Sequence, residues 1–349
     1  MKGVAVGDLF IPKEKMAEAF RVEGVREVVS EISLLEFECR DRHDIRGKIR
    51  EIEAKGPDAV PAPPGLDRLM EDAQVLAVHL SPVPRSVLER AKKLKVVCTA
   101  RGGVDNISME ILNDRRIPVI TSPHHNTNAV AEYVVGLAIA ETRNIARAHH
   151  ALKGGTWREL FGNSECILEL AGAKCGIIGF GQIGRLVARK LKSLDMDVLV
   201  HDPFVDESTV REAGCRAVDL ATLLTESDVL SLHVRQTQST RGMIGERELR
   251  MMKPTAVLIN TARARLVDPD ALVRALSEGW IGGAAIDVFE EEPAPPGHPL
   301  FALDNVTLTN HRAGDTQNAY WKAPLLIGEQ LSMFLAGRRP LFVANPQVF

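Results

Sequence analysis

Apolar runs alternate with helical patterns in the second half of the chain. From about residue 172 onward, short continuous apolar stretches are separated by segments with helical spacing. This alternation is typical of a parallel sheet that is covered by helices on both faces. The predicted strands are KCGIIG (174–179), DVLV (197–200), DVLSLHV (228–234), AVLIN (256–260), GGAAIDVF (282–289) and NVTLT (305–309).

The first part of the chain shows the same alternation on a smaller scale, which predicts a second, smaller α/β domain. Its predicted strands are GVAVGD (3–8), QVLAVHL (74–80), KVVCTA (95–100) and PVITS (118–122). Residues 41–67 are charged and then proline-rich, so we expect a surface helix and a loop there. The stretch from about 318 is predicted to be helical and to return to the N-terminal domain.

Residues 126–149 predict one long helix. Val130, Val134, Leu137 and Ala138 repeat at helical spacing, and apolar residues occupy more than one face. This suits a helix that is buried between domains or subunits.

Composition narrows the possible functions. The chain has 349 residues, enough for two domains, and a net charge of −3 that gives no strong attraction to nucleic acid or anionic membranes. No apolar run reaches the roughly 18 residues of a membrane span, and the N-terminus lacks the pattern of a signal peptide. The five cysteines are scattered, which predicts buried, inert thiols in a reducing cytoplasm and no metal site. They are Cys39, Cys98, Cys166, Cys175 and Cys215.

Residues 179–184, GFGQIG, carry the strongest cofactor signal. A predicted strand (175–178) leads into this loop and a predicted helix (183–194) leaves it. Gly179 would permit the tight turn, Gly181 the approach of a pyrophosphate, and Gly184 the close packing of helix on strand. Asp202 ends the next strand at the spacing of a carboxylate that binds an adenosine ribose, which favours NAD over NADP. The alternative is a glycine turn in an unrelated α/β protein.

Two arginines, Arg263 and Arg265, stand where the strand AVLIN reaches the surface. An arginine is costly to bury without a partner, so each either extends into solvent or binds an anion. The reaction class suggested below assigns an anion to Arg263, whereas Arg265 is expected to form a salt bridge or to face solvent.

Several ordered motifs resemble the D-isomer-specific 2-hydroxyacid dehydrogenase family, and the ARGGVDN segment (100–106) resembles its phosphoglycerate-dehydrogenase-like branch. The motifs are NAVAEYVVGLAIAETRN (128–144), GIIGFGQIG, LINTARARLVDPDAL, AAIDVFEEEP and NVTLTNHRAG. The resemblance implies a Rossmann NAD-binding domain at about 123–317, inserted in a flavodoxin-like substrate domain at 1–122 and 318–349. It also implies a cleft between the domains and a homodimer formed through the 126–149 helix region.

The resemblance implies three catalytic residues for hydride transfer between nicotinamide and C2 of a 2-hydroxy acid. Arg263 would grip the carboxylate and polarise the ketone oxygen. His311 would exchange the proton, and Glu292 would fix the imidazole tautomer. Glu290 and Glu291 are adjacent candidates for the acidic partner, and Pro293 after Glu292 decides the assignment. A carboxylate at this position argues against formate dehydrogenase activity.

The remaining implied residues line the cofactor and substrate sites. The cofactor residues are Gly179, Gly181, Gln182, Ile183, Gly184, Asp202, Pro203, His233, Thr240, Thr261, Ala262, Asp287 and Gly314. The substrate residues are Leu80, Ser81, Arg101, Gly102 and Gly103, together with Arg263 and His311. The two glycines could turn backbone N–H groups toward the substrate carboxylate, although a plain turn is the alternative. His79, in the loop that resembles the substrate loop, could equally be structural.

Departures from the family pattern bear on substrate and cofactor. The positions of the phosphate-binding arginines hold His79 and Ser81, and we expect no regulatory domain after residue 349. We therefore expect a small or sugar-derived 2-hydroxy acid rather than 3-phosphoglycerate. His233-Val234-Arg235 replaces the family's H-x-P segment, so an Arg235 that faced the ribose could admit NADP.

The rival function is a nucleotide-sensing protein similar to the corepressors of this family. A dehydrogenase for an inorganic or one-carbon substrate is a third reading, which Glu292 disfavours.

Overall fold

The computed structural model describes residues 1–164 and 167–349. They form two compact units, one of Met1–Asn126 with Asp315–Phe349 and one of Thr127–Gly314. These limits differ by a few residues from the predicted domain limits, and the roles of the two domains remain predictions. The described residues include no helix that is both long and apolar enough to cross a membrane.

The first unit is built on a five-stranded sheet in which every pairing is parallel, with the strand order β2-β1-β3-β4-β5. This order is that of a flavodoxin-like sheet, in which the direction of winding reverses between β1 and β3. Its strands are β1 Lys2–Gly7, β2 Glu31–Glu36, β3 Val75–Val78, β4 Val96–Thr99 and β5 Val119–Ile120.

The central strands β3 and β4 are buried at every position, because helices cover both faces of the sheet. The C-terminal helix packs on the same face as the first helix, through Ala323, Ile327 and Leu331. The helices of this unit are α1 Lys13–Met16, α2 Arg42–Lys55, α3 Leu66–Met70, α4 Arg85–Arg90, α5 Met109–Asp114 and, last in the chain, α13 Gln317–Leu335.

The second unit contains a seven-stranded sheet, also parallel throughout, with the order β12-β11-β10-β9-β6-β7-β8. Counted within the unit, the order is that of a doubly wound Rossmann sheet, and the winding reverses between β6 and β9. The strands are β6 Lys174–Ile178, β7 Asp197–His201, β8 Arg216–Ala217, β9 Val229–Leu232, β10 Val257–Asn260, β11 Gly283–Ile286 and β12 Val306–Leu308.

Two apolar cores lie on this sheet, one on each face, which explains why its strands read as continuous apolar runs. The helices are α6 Thr127–Thr142, α7 Ile145–Lys153, α8 Gln182–Lys192, α9 Glu207–Glu212, α10 Leu220–Glu226, α11 Glu246–Met251 and α12 Pro269–Ser277.

The prediction of one helix over 126–149 is wrong, because the chain breaks into α6 and α7 at Asn144. Asn144 has a left-handed backbone with φ 55°, and its Oδ1 accepts a hydrogen bond from Nη1 of Arg147 at 2.6 Å. Arg147 also pairs with the fully buried Glu141. The four apolar residues used for the prediction are nevertheless buried in α6.

Two strands and one thiol differ from the sequence prediction. The edge strand β2 was missed because its sequence, EISLLE, mixes apolar residues with glutamates and a serine and shows no regular alternation; Ile32 and Leu34 are exposed in it. The strand β8 was missed because it has only two residues. Cys98, Cys175 and Cys215 are buried free thiols, as predicted. Cys39 is half-buried instead, and Cys166 lies outside the described residues.

Candidate active site

Three neighbouring strands of the second unit end at one edge of the sheet and bring the predicted catalytic residues to that edge. Arg263 follows the end of β10, Asp287 comes directly after β11, and His311 follows β12. Because these strands are adjacent and parallel, the loops after them meet at the carboxyl edge. Glu292 belongs to the loop after β11.

His311 and Glu292 form a hydrogen-bonded pair. Nδ1 of His311 lies 2.7 Å from Oε2 of Glu292, and the other carboxylate oxygen, Oε1, accepts a hydrogen bond from the backbone N–H of Phe289 at 3.1 Å. Both side chains are partly open to solvent. Glu290 lies 3.6 Å from His298 instead. With Nδ1 engaged, only Nε2 of His311 is free to exchange a proton with another group.

Each member of this pair shifts the pKa of the other. The hydrogen bond and charge of Glu292 raise the pKa of His311, although partial burial and the charge of Arg263 oppose the rise. Burial works to raise the pKa of Glu292, but the hydrogen bonds from His311 and Phe289 and the charges of His311 and Arg263 bring it below its usual value. The pair therefore favours imidazolium beside carboxylate.

Arg263 is exposed, and its side chain bonds to the neighbouring backbone. Nη1 of Arg263 donates to the carbonyl of Ala262 at 2.6 Å. The buried Asn260 brackets this turn, because its amide donates to the carbonyl of Arg263 at 2.9 Å and its Oδ1 accepts from the N–H of Ala262 at 3.1 Å. Arg265 is exposed and forms no ion pair within the described part of the chain. Of the two predicted alternatives, it takes the solvent-facing one.

Asp287, which the resemblance assigned to the cofactor site, also organises the loop that carries His311. Its fully buried carboxylate accepts hydrogen bonds from the Thr309 hydroxyl at 2.6 Å and from the backbone N–H groups of Arg312 and Ala313 at 2.8 and 2.9 Å. The carbonyl of Asp287 accepts from the N–H of His311 at 2.8 Å. These bonds surround His311, whose backbone is left-handed with φ 56°.

The glycine loop has the close backbone approaches that the GxGxxG pattern predicts. Gly179 has φ 94°, and a Cβ there would lie 2.8 Å from the carbonyl oxygen of His233. A Cβ on Gly184 would lie 2.1 Å from the carbonyl oxygen of Gly179, so a side chain would push α8 away from the strand. A Cβ on Gly181 would meet no atom within 4 Å, which leaves its outer side open.

The residues around the glycine loop fit a dinucleotide. The first N–H groups of α8, including those of Gln182 and Ile183, have no partner within the helix and point toward its N-terminal end. Oγ1 of Thr261 is buried and has no hydrogen-bond partner among the described residues. An open cradle and an unpartnered buried hydroxyl, both at the carboxyl edge of a Rossmann sheet, suit a cofactor with phosphates and polar edges.

Asp202 occupies the predicted ribose position and already has two backbone partners. Its carboxylate accepts hydrogen bonds from the N–H of Phe180 in the glycine loop at 2.7 Å and from the N–H of Phe204 at 2.9 Å. Phe204, which follows Pro203, is 94% exposed. The carboxylate thus ties the ends of two neighbouring strands together and keeps lone pairs for further donors.

His233 lies at the point where the winding of the sheet reverses, directly after β9. Its Nε2 is 2.9 Å from Oγ of Ser231, and burial lowers the pKa of its imidazole to about 4, so the ring is neutral at pH 7. Arg235 is exposed, and Oγ1 of Thr240 donates to its carbonyl at 2.7 Å. Ala262 and Gly314 are both half-buried in the same unit.

Apart from Arg263 and His311, the predicted substrate residues lie in the first unit. Arg101 follows β4 and makes ion pairs of 3.5 Å with Glu53 and 3.6 Å with Asp105. The N–H groups of Gly102 and Gly103 donate no hydrogen bond within the described chain, as an anion nest would require. Leu80 and Ser81 are buried.

The sequence analysis missed three buried polar residues that hold the predicted site residues in place. Asn260 fixes the turn of Arg263, whereas Asp8 and Asn106 bind the backbone of residues 79–81. Asn260 stands in the quoted motif LINTARAR, where an amide at the end of an apolar strand is a usable signal. Asp8 and Asn106 carry no such signal, because the residues they bind are distant in sequence.

Comparison with known proteins identifies the family of this chain. The family described as "D-isomer specific 2-hydroxyacid dehydrogenase, NAD binding domain" matches residues 135–313. A glyoxylate reductase of Thermofilum pendens is 40% identical over 294 residues, which cover 82% of this chain and 86% of that protein.

Two further proteins are similar to this chain, one in sequence and one in structure. A D-3-phosphoglycerate dehydrogenase of Methanocaldococcus jannaschii is 39% identical over 79% of this chain, and the chain spans only 52% of that protein's length. A solved D-lactate dehydrogenase of Treponema pallidum has a TM-score of 0.76 and 23% identity, and the match covers 98% of this chain and 99% of that one. This last likeness shows the fold. The two relatives found by sequence, from Thermofilum pendens and Methanocaldococcus jannaschii, are named as enzymes, which favours the dehydrogenase over the nucleotide-sensing protein.

Proposed function

The chain belongs to the family of D-isomer-specific 2-hydroxyacid dehydrogenases, and from this premise we propose that it reduces a small 2-oxo acid with NADH. As a member of this family it is an NAD-dependent oxidoreductase that acts on the CH–OH group of 2-hydroxy acids. The observation that carries our residue assignment is the 2.7 Å contact between His311 and Glu292, at the same sheet edge as Arg263.

Arg263 binds the substrate carboxylate and polarises the C2 carbonyl. Its guanidinium is exposed at the carboxyl edge, its backbone is fixed by Asn260, and its positive charge influences both His311 and Glu292. A planar guanidinium with several donors can hold a carboxylate through two parallel hydrogen bonds, which a lysine cannot do.

His311 supplies the proton that the reduced carbonyl oxygen takes up. NADH, when bound, supplies the hydride to C2. The proton then passes from Nε2 of His311 to the oxygen, which leaves a neutral imidazole beside Glu292 and completes the 2-hydroxy acid. Glu292 orients the ring and favours its charged form before the transfer. In the oxidation direction, neutral His311 accepts the same proton.

The cofactor residues are proposed from the fit described above. The glycine loop and the N-terminus of α8 would hold the pyrophosphate, and Asp202 would accept a hydrogen bond from the adenosine ribose. The same carboxylate would repel a 2′-phosphate, so we propose NADH rather than NADPH as the working cofactor. Thr261 offers its unpartnered hydroxyl to the cofactor.

We propose a small or sugar-derived acid as the substrate rather than 3-phosphohydroxypyruvate. Neither Leu80 nor Ser81 carries a charge, His79 is buried against Asp8, and Arg101 already faces two carboxylates. The N–H groups of Gly102 and Gly103 are the donors that we assign to the substrate carboxylate. The name of the Thermofilum pendens relative supports glyoxylate as the first acid to test.

We also propose that the chain works as a homodimer in the cytoplasm. Exposed apolar side chains follow one another from the start of α7 into the segment after it, and Trp157 and Leu160 are more than three-quarters exposed. Such residues on a soluble protein mark an interaction surface. The four cysteines within the described chain are free thiols, which supports a reducing compartment.

The test is the loss of NADH absorbance with a panel of 2-oxo acids. The panel contains glyoxylate, hydroxypyruvate, 2-oxoglutarate and 3-phosphohydroxypyruvate, and Arg263→Ala is compared with Arg265→Ala, a nearby exposed arginine. We expect Arg263→Ala to lose turnover while its Kd for NADH stays that of the wild type, and Arg265→Ala to stay active. Tight NADH binding without turnover of any acid by the wild type would contradict the proposal.

A further inference from the structure

A second carboxylate–imidazole pair lies in the first unit, whereas the pair formed by His311 and Glu292 belongs to the second unit. Asp8 directly follows β1 and His79 directly follows β3, so the two residues stand at the place where the winding of the five-stranded sheet reverses. Ligands of open parallel sheets bind outside the carboxyl ends of the strands at such a place. His79 directly precedes Leu80 and Ser81, the two residues of this segment that are predicted to line the substrate site.

The carboxylate of Asp8 is fully buried and accepts hydrogen bonds from four groups. On one side, Oδ1 accepts from the N–H groups of Phe10 at 2.9 Å and Ile11 at 3.2 Å. On the other, Oδ2 accepts from the N–H of Leu80 at 3.0 Å and lies 3.0 Å from Nδ1 of His79. One side chain therefore fastens the backbone at position 80 to the loop after β1.

Asn106 holds the same segment from another direction. Its amide nitrogen donates to the carbonyl of His79 at 3.1 Å and to the carbonyl of Ser81 at 2.7 Å. The side chain of Asn106 is itself completely buried. Asp8 and Asn106 together engage one N–H and two carbonyl groups within three consecutive residues. A segment bound in this way has little freedom to change its φ and ψ angles.

We propose that Asp8 and Asn106 are positioning residues for substrate binding, which fix the backbone of His79, Leu80 and Ser81 in the conformation that receives the 2-oxo acid. This inference rests on the proposed function, because it takes Leu80 and Ser81 as part of the substrate site. His79 acts through the segment that it begins, since its ring is buried between Asp8 and Tyr320.

The charge of Asp8 suits this role. Burial disfavours the ionised carboxylate, but the neighbouring His79 and the N–H donors of Phe10 and Leu80 outweigh it and hold the pKa of Asp8 below its usual value. An ionised carboxylate accepts all four hydrogen bonds. An asparagine of the same shape would turn an amide N–H₂ toward one pair of donors and lose those bonds.

The test compares two variants of the positioning pair with a control that is equally buried. Asp8→Asn and Asn106→Ala remove bonds to residues 79–81. The control is Asn345→Ala, because Asn345 is buried in the same unit and binds the N–H of Val119 and the carbonyl of Ile117, at the start of β5 rather than at the carboxyl edge. Purified full-length chains are compared by steady-state kinetics, NADH binding, thermal melting and hydrogen exchange.

We expect Asp8→Asn and Asn106→Ala to raise the KM for the 2-oxo acid about 10-fold to 100-fold, with a smaller change in kcat, because a displaced substrate contact weakens binding steeply. The Kd for NADH should stay unchanged. Hydrogen exchange at the amide of Leu80 should accelerate in both variants. Asn345→Ala should lower the melting temperature without changing the KM or this exchange.

Three results would overturn the inference. The first is an unchanged KM for the 2-oxo acid in a folded Asp8→Asn or Asn106→Ala variant. The second is an equal rise of KM in Asn345→Ala, which would show a general loss of stability. The third is rapid exchange at Leu80 in the wild type. A wild type that turns over no 2-oxo acid would instead contradict the proposed function and remove the premise about substrate.

Discussion

Nδ1 of His311 lies 2.7 Å from Oε2 of Glu292, while the backbone of His311 is held by the buried Asp287. This contact turns the ring so that Nε2 is the nitrogen left for proton exchange. It also raises the pKa of the imidazole, so His311 keeps its proton to a higher pH than an isolated histidine.

The first prediction concerns the pH dependence of reduction. Reduction needs protonated His311, so kcat/KM for the 2-oxo acid should be constant at low pH and fall as the pH rises through the raised pKa of His311. Glu292→Gln removes the main cause of that rise and should move the fall to lower pH. Rates of NADH oxidation between pH 5 and 9 measure both profiles.

Glu290→Gln provides the control for this experiment, since Glu290 lies beside His298 rather than His311. Its profile should match that of the wild type. A fall at the same pH in the wild type and in Glu292→Gln would mean that another group supplies the proton.

The second prediction concerns the choice of cofactor. In Asp202→Asn the repulsion of a 2′-phosphate is lost, so kcat/KM with NADPH should rise at least about 10-fold relative to NADH, which corresponds to about 1.4 kcal/mol. Arg235→Ala should leave the preference of the wild type for NADH unchanged. If the wild type used NADPH well and Arg235→Ala abolished that use, then Arg235 would be the residue that binds the 2′-phosphate of the adenosine ribose, and the prediction would be wrong.

The sequence predicted the doubly wound sheet of the second unit well because its buried strands are short apolar runs bounded by helices. It also predicted the glycine loop, since the crowding at Gly179 and Gly184 follows from strand, turn and helix within a few residues. The break at Asn144 was not predictable from helical spacing, because it depends on Arg147, whose guanidinium is held by Glu141 and Asn144.

The hydrogen bonds that position the site were the least predictable feature. Asp8 binds Leu80 across 72 positions of the chain, and Asn106 binds His79 across 27. A single sequence gives the residue types but not which of them meet in space. Contacts of this kind arise from the strand order of the sheet and not from any local pattern.

The third prediction concerns the oligomeric state. Leu160→Glu should convert the proposed dimer into a monomer, because it places a charge among exposed apolar residues that would be buried on association. Leu341→Glu is the matched control, since Leu341 is 72% exposed and lies outside that segment. Sedimentation velocity measures the mass of each. A wild type that sediments as a monomer at micromolar concentration would contradict the proposal.

The fourth prediction concerns stability. Glu141 is fully buried and bound to Arg147 and, at 2.5 Å, to the Thr307 hydroxyl. Glu141→Gln leaves the charge of Arg147 uncompensated and should lower the free energy of unfolding by about 3 kcal/mol or more. Glu132→Gln on the same helix removes an exposed pair with Lys190 and should cost under about 0.5 kcal/mol. Denaturant unfolding measures the free energy of unfolding of both variants. Equal losses in Glu141→Gln and Glu132→Gln would show that the buried pair contributes no more than the exposed one.

The central claim is that hydride passes from NADH to C2 of a 2-oxo acid at the site of Arg263, Glu292 and His311. The most direct measurement incubates the protein with NADH that carries deuterium at both C4 positions and with glyoxylate, or the best acid of the panel, and locates the label by mass spectrometry and NMR. The account predicts one deuterium on C2 of the 2-hydroxy acid product, and none with Arg263→Ala. Oxidation of NADH without deuterium at C2, or no hydroxy acid from any member of the panel, would contradict it.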